Sequence, residues 1–245
     1  MTKTDPALLG ILMLDTRFPR IPGDVGNPDT WLFPVRYAIV PGATPQAVVC
    51  EDPEPFVRAF VTAGEELVSQ GCRGIATTCG FLSLIRPRLA RELGVPVAAS
   101  ALEQAGQIQA TLGPGKRIGI LTISGPSLTP EHLSVAGVPQ DAEVQGVEET
   151  AFAHSILGNA DTLDVPKARQ DLTEAARKMV QDTPDIGAII LECTNMVPYA
   201  PDIARATGRP VYSIYSYLNW FHESLAPRGF TSQGHAANRP QKRGC

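Results

Sequence analysis

The sequence predicts an α/β fold of two pseudo-symmetric lobes, each a mostly parallel four-stranded sheet flanked by helices, with the active site in the cleft between them. Three observations predict it. Short apolar runs alternate with helical stretches, the runs are near-continuous rather than alternating, and one segment occurs twice. Strands buried on both faces carry such runs, as in a parallel sheet, and parallel strands are joined by right-handed helical crossovers.

The predicted strands are Leu8–Leu14, Val35–Val40, Gly74–Thr78, Val95–Ala99, Arg117–Ile123, Glu143–Val147, Gly187–Leu191 and Val211–Ile214. Between the second and third, Asp52 followed by Pro53 reads as an N-cap with Pro at the first helical position. Phe56, Val57, Phe60, Val61, Leu67 and Val68 form one apolar stripe, and Gly71 stops the helix. Ser100–Ala101–Leu102–Glu103 is a capping box that opens a helix ending near Gly113. Leu172, Ala175, Ala176, Met179 and Val180 make an amphipathic helix of Lys167–Gln181. Trp220 and Phe221 are expected to pack a last helix, and Gly229–Cys245, almost without apolar residues, reads as a mobile tail.

The repeat sets the lobes. Residues 87–97 (PRLARELGVPV) match 201–211 (PDIARATGRPV) in Pro, Ala, Arg, Gly, Pro and Val. A cysteine stands eight residues before each block, Cys79 and Cys193, and Gly10 of the first strand echoes Gly119 of the fifth. Two strand–helix–strand units both need Pro at a helix start and Gly at its end, which explains part of the match but not the paired cysteines. The reading is a duplicated unit: residues 1–99 with 213–245 as the first lobe, and 100–212 as the second.

Composition narrows the function. With 245 residues, 43% of them hydrophobic, the chain can bury a sizeable core. Lys+Arg 21 against Asp+Glu 25 gives a net charge of −4 without an internal basic run, which argues against nucleic acid. The apolar stretch Ala7–Leu14 is short of the roughly 20 residues that span a bilayer, so the expectation is a cytoplasmic protein without a membrane partner. The cysteines 50, 72, 79, 193 and 245 have no metal spacing and no disulfide framework, so reduced thiols and no metal are expected. His132, His154, His222 and His235 share no ligand spacing, Gly113–Lys116 lacks the phosphate-loop pattern, and there is no Gly-x-Ser-x-Gly elbow.

Cys79 and Cys193 each follow the C-terminal end of a predicted parallel strand, where ligands bind in open α/β sheets. Facing lobes would bring the thiols to opposite sides of one cleft, an arrangement suited to removing a proton from one face of a carbon and returning it to the other. Backbone N–H groups would lower the thiols from their ordinary value near 8.5 and make them usable bases. Cys50 and Cys72 read as buried packing residues. The loop Phe18–Phe33, rich in Pro, Gly and Asp, is long enough for a binding loop in which Arg17, Arg20 or Trp31 meets an anion. A plain surface connection with solvated arginines is the alternative.

Paired cysteines after equivalent strands, with Thr77–Thr78–Cys79–Gly80 and Leu191–Glu192–Cys193–Thr194–Asn195 as the best-matching segments, resemble the aspartate/glutamate/hydantoin racemase superfamily. That group of cofactor-independent two-cysteine enzymes includes decarboxylase and lyase branches. Cys79–Gly80–Phe81 stands where amino-acid racemases carry Cys-Asn-Thr, and Glu192 replaces a Gly, which brings the chain closer to the Alma-type dimethylsulfoniopropionate lyases. The resemblance implies Cys79 and Cys193 as catalytic residues and Asp15, Thr78, Gly80, Phe81, Thr194 and Asn195 as substrate-binding ones, with Arg17, Ser124 and Glu192 as further candidates. It also implies no cofactor, a small carboxylate-like substrate and a homodimer. The expected activity is a two-base racemase or isomerase, with a lyase on the same scaffold as the alternative. A non-catalytic binder of a small anion would leave the paired thiols without a role.

Overall fold

The first sheet of the computed structural model contains β1 (Leu9–Leu14), β2 (Val35–Val40), β3 (Gly74–Thr77) and β4 (Val97–Ala98), ordered β2-β1-β3-β4. The second contains β5 (Arg117–Thr122), β6 (Glu143–Gly146), β7 (Ile186–Leu191) and β8 (Val211–Tyr212), ordered β6-β5-β7-β8. Every neighbouring pair is parallel. The structure describes residues 6–228; the predicted tail from Gly229, with His235 and Cys245, lies outside them.

Helices α1 (Val57–Ser69), α2 (Arg86–Leu93) and α3 (Ala105–Thr111) precede β5, and α4 (Pro130–Val135) precedes β6. Then come α5 (Ala151–Leu157), α6 (Val165–Asp182), α7 (Ala200–Thr207) and α8 (Ile214–Leu225). The central strands β1, β3, β5 and β7 are buried almost throughout, which is why their sequences do not alternate.

The repeated segments take equivalent conformations. α2 ends at Gly94 with φ 65° and ψ 16°, and α7 ends at Gly208 with φ 65° and ψ 20°. In each, the glycine N–H donates to the repeated alanine, Ala90 or Ala204, before the chain enters β4 or β8. Gly10 and Gly119 also do the same job. A β-carbon on Gly10 would stand 3.1 Å from Leu67 Cβ of α1, and one on Gly119 would stand 2.9 Å from Met179 Cε of α6. Each glycine lets a helix lie close on its sheet.

Local details differ from the sequence expectations. The Asp52 carboxylate does accept from the Glu54 N–H at 2.9 Å, but the first turn, Glu54–Phe56, is 3₁₀ and α1 begins at Val57. Gln46–Glu51 forms a π-helical turn that no periodicity announces, and it leaves Cys50 exposed rather than packed. Cys72 is buried. Strands β4 and β8 shrink to two residues because the chain turns at once into the capped helices that follow. Trp220 does not pack the core: it is 55% exposed and stacks on Tyr217, while Phe221 is buried and faces Gly74 of β3.

Candidate active site

Each cysteine opens a 3₁₀ turn just beyond its strand. Cys79 precedes Gly80–Leu84 after β3, and Cys193 precedes Thr194–Tyr199 after β7. Thr77 holds the first corner, its hydroxyl lying 3.0 Å from the Cys79 carbonyl and 2.9 Å from that of Ala99. The second corner is tied to the first lobe by the Thr194 hydroxyl, which donates to the Thr78 carbonyl at 2.7 Å.

These turns line one narrow cavity between the lobes. Thr78, Cys79, Gly80 and Phe81 come from the first turn, and Glu192, Cys193, Thr194 and Asn195 from the second. Leu14, Phe18, Val49, Ile123, Ile156 and Leu157 supply apolar walls. Arg20 enters from the loop after β1, its guanidinium 5.0 Å above the Phe18 ring.

A chain of polar contacts crosses the cavity edge. Arg20 pairs with Asp24 at 2.7 Å and donates to Thr16 Oγ1 at 2.9 Å. Asp24 accepts from the Asn195 amide at 2.6 Å, and the Cys193 thiol lies 3.6 Å from Asn195 Oδ1. Thr78 is fixed by the Leu14 N–H, which donates to its hydroxyl at 3.1 Å.

The thiols are not the depressed groups that their strand-end positions suggested. Burial pushes Cys79 up to about 12, and the Glu192 carboxylate adds to the rise; the Phe81 and Leu82 N–H groups oppose it. Burial and Glu192 also raise Cys193 well above its ordinary value, against the Asn195 N–H. Both cysteines are 7% exposed. Desolvation therefore outweighs the backbone dipoles. Glu192 is itself held up at about 7 by burial, although Thr122 and Ile123 bond to it.

Other candidates lie elsewhere. Asp15 accepts from the Gly42 N–H at 3.0 Å and stays outside the cavity lining. Arg17 is exposed, pairs with Asp161 at 3.6 Å and donates to Asn159. Ser124 bonds to the Ser127 hydroxyl at 2.8 Å and is also outside the lining. Trp31 is 2% exposed, donates its indole N–H to Val25 and stacks on Tyr215, so it packs the loop rather than facing a ligand. Among the described residues no group of three His, Cys, Asp or Glu side chains is placed to hold a metal ion. None of the helices there is long and apolar enough to cross a membrane.

Asp24 escapes sequence reading. Its spacing from Arg20 is that of a helical ion pair, but Pro19, Pro22 and Gly23 exclude a helix. The contributions of Val49, Ile156 and Leu157 depend on tertiary packing and leave no local signal.

No family model matches the chain. A dimethylsulfoniopropionate lyase of Durusdinium sp. clade D is 31% identical over 229 residues, which cover 88% of this chain and 74% of that one. Dimethylsulfoniopropionate lyase 7 of Emiliania huxleyi (strain CCMP1516) is 28% identical over 230 residues, covering 89% of this chain and 67% of the relative. Among solved structures, a sulfate-associated variant of arylmalonate decarboxylase matches with a TM-score of 0.60 and 19% identity, over 91% of this chain and 94% of that one. Allantoin racemase from Pseudomonas fluorescens matches with a TM-score of 0.56 and 16% identity, over 88% and 90% of the two chains. At these identities the solved structures establish the fold, and the 31% relative establishes the family. The chain belongs to the dimethylsulfoniopropionate lyase family, built on the fold of the aspartate/glutamate racemase superfamily.

Proposed function

We propose that the protein is a cofactor-independent lyase that removes a proton from the carbon next to a carboxylate and expels a sulfide from the following carbon, with dimethylsulfoniopropionate as the substrate type. The observation that carries this reading is the convergence of both cysteine turns and Arg20 on one mostly apolar cavity, in a chain of this family. Arg20 receives the substrate carboxylate. A thiolate takes the α-proton, the C–S electron pair leaves with the sulfur, and the products are an alkene carboxylate and a neutral dialkyl sulfide. The N–H groups of Phe81 and Leu82 point at the Cys79 sulfur and that of Asn195 at the Cys193 sulfur, where they favour the thiolate that acts as base.

The apolar walls favour elimination over amino-acid racemisation. An ammonium group needs hydrogen-bond acceptors throughout its reaction, whereas a departing sulfide loses its charge and is better solvated by Leu14, Val49 and Ile156 as it forms. A two-base isomerase is the second reading, favoured by the equivalent positions of the thiols in the two lobes.

Proton NMR of the purified protein with dimethylsulfoniopropionate in D₂O separates them. Elimination gives vinylic signals and free sulfide. An isomerase gives deuterium at the α-carbon without vinylic product. Replacing the base thiol with Ser should cost about 10²–10⁴-fold, and Cys79→Ser and Cys193→Ser should be unequal for a lyase. Absence of vinylic product from the wild-type protein would overturn the lyase reading.

A further inference from the structure

The two cysteines hold equivalent places in the duplicated units, yet the groups around their sulfurs differ. The Cys79 sulfur meets two N–H groups, those of Phe81 and Leu82. The Cys193 sulfur meets one, that of Asn195, and its S–H donates to Oδ1 of the same residue at 3.6 Å. The first lobe has no counterpart to that acceptor, because the residue two positions after Cys79 is Phe81, whose ring packs edge-on against His132. The Asn195 amide is not free to turn. Its Nδ2 donates to Asp24 Oδ2 at 2.6 Å, and a carboxylate oxygen accepts only from an N–H, so Oδ1 is the atom left facing the sulfur. Asp24 is fixed in turn through its other oxygen, which accepts from Arg20 and from the Gly26 N–H, each at 2.7 Å. The loop after β1 thus places opposite charges toward the two thiols: Arg20 favours a negative charge on Cys79, and Asp24 opposes one on Cys193.

We propose that Asp24, by aiming Asn195 Oδ1 at the Cys193 S–H, keeps Cys193 a neutral thiol and leaves Cys79 as the base of the elimination. This rests on the elimination reading above. Two sulfur anions in one apolar cavity repel each other, so one of the pair must stay protonated, and the Asn195 amide decides which. Cys79 gives its proton to water, and the resulting thiolate takes the substrate α-proton. The C–S pair leaves with the sulfide as the double bond forms, and Cys79 is again a thiol. One proton passes from the substrate to Cys79 and one from Cys79 to solvent, while Cys193 exchanges none. Asn195 and Asp24 act on the thiol and not on the substrate, so both are positioning residues. Of the titratable and charged groups around the sulfurs, Glu192 opposes ionisation of both and does not distinguish them; Arg20 bears on Cys79, and Asp24 with Cys79 itself on Cys193.

The test pairs thiol chemistry with turnover. Iodoacetamide labelling at about pH 8, read for each cysteine peptide by mass spectrometry, needs no substrate and follows the thiolate share of each sulfur. In wild type, Cys79 should label faster than Cys193. Asn195→Leu, similar in volume but without Oδ1, should raise Cys193 labelling about fivefold or more. Cys79 lines the same cavity and reports any general opening, so its rate should stay within about twofold. Arg20→Met with Asp24→Leu, which removes the anchor and both charges, should raise Cys193 labelling and lower that of Cys79, with thermal denaturation reporting a folded protein for each variant. In proton NMR turnover, Cys79→Ser should lose about 10²–10⁴-fold, whereas Cys193→Ser, whose hydroxyl donates to Oδ1 as the thiol did, should stay within about tenfold of wild type. Faster labelling of Cys193 than of Cys79 in wild type, Cys193 labelling unchanged in both variants, or a larger turnover loss for Cys193→Ser than for Cys79→Ser overturns the proposal. If wild type eliminates nothing yet Cys193 labelling responds to Asn195→Leu as stated, the lyase reading fails and the hold of Asn195 on the Cys193 proton stands.

Discussion

Glu192 shows what a single residue can and cannot reveal from sequence. Its place before Cys193 marked it as a candidate, but its burial and its fit against Gly80 belong to the tertiary structure. The thiol positions were legible for the same reason that their ionisation was not: strand ends can be read from the pattern, whereas desolvation depends on walls drawn from distant segments. The buried carboxyl also has a stability consequence. Folding raises it from 4.5 to about 7, so the folded state favours the protonated form. Its stabilising contribution is complete below the unfolded value and is lost as pH rises through about 7, a change on the order of 3 kcal/mol. Glu192→Gln should therefore match wild type near pH 4.5 and exceed it in stability at pH 8. Urea denaturation at both pH values measures this; an equal difference between the two proteins at both would refute it.

At the scale of elements, the duplicated unit was the most legible feature because its markers are backbone markers. Gly94 and Gly208 occupy the left-handed region, and only that requirement had to be read. The π-helical turn Gln46–Glu51 and the two-residue strands β4 and β8 were hidden, because tertiary contacts rather than periodicity define them. The paired glycines Gly10 and Gly119 give a comparison within one protein. A methyl on Gly10 meets Leu67 Cβ, the rigid root of a side chain on α1, whereas a methyl on Gly119 meets the Met179 Cε and Sδ atoms at the flexible end of a side chain on α6. Ile75 Cδ1 and Ile186 Cδ1 crowd the two sites to a similar degree. Gly10→Ala should accordingly destabilise by about 1–3 kcal/mol and Gly119→Ala by about 1 kcal/mol less, since methionine adapts to overpacking. Denaturant midpoints at constant m-value would check the order, and a larger loss for Gly119→Ala would contradict it.

At the scale of the molecule, the lobes are joined by side chains from both. Thr194 reaches Thr78 across the cleft, and α8 is tied to the capped turn after β4, where Gln104 donates to the Ser213 carbonyl at 3.0 Å and the Tyr217 hydroxyl donates to Glu103 at 2.9 Å. The loop after β1 adds a further tie, because the Arg20–Asp24 pair carries the Asn195 amide of the other lobe. Sequence alone left this loop as either a binding segment or a surface connection; burial of Phe18, Asp24, Val25 and Trp31 places it within the core that closes the cavity. The pair lies at 11% and 4% side-chain exposure, so removing one charge strands the other. Asp24→Asn should destabilise by about 3 kcal/mol and reduce elimination, because Arg20 is left uncompensated and Asn195 loses its anchor. Replacing both, as in Arg20→Met with Asp24→Leu, should recover part of that stability, since no charge is then stranded, while the Asn195 amide and the Gly26 N–H still lose their acceptor. Activity should not return with it, for the substrate carboxylate then has no cation to meet. Thermal denaturation and NMR turnover on the same two variants separate the roles. A double variant that recovers both stability and turnover would show that Arg20 serves the fold alone.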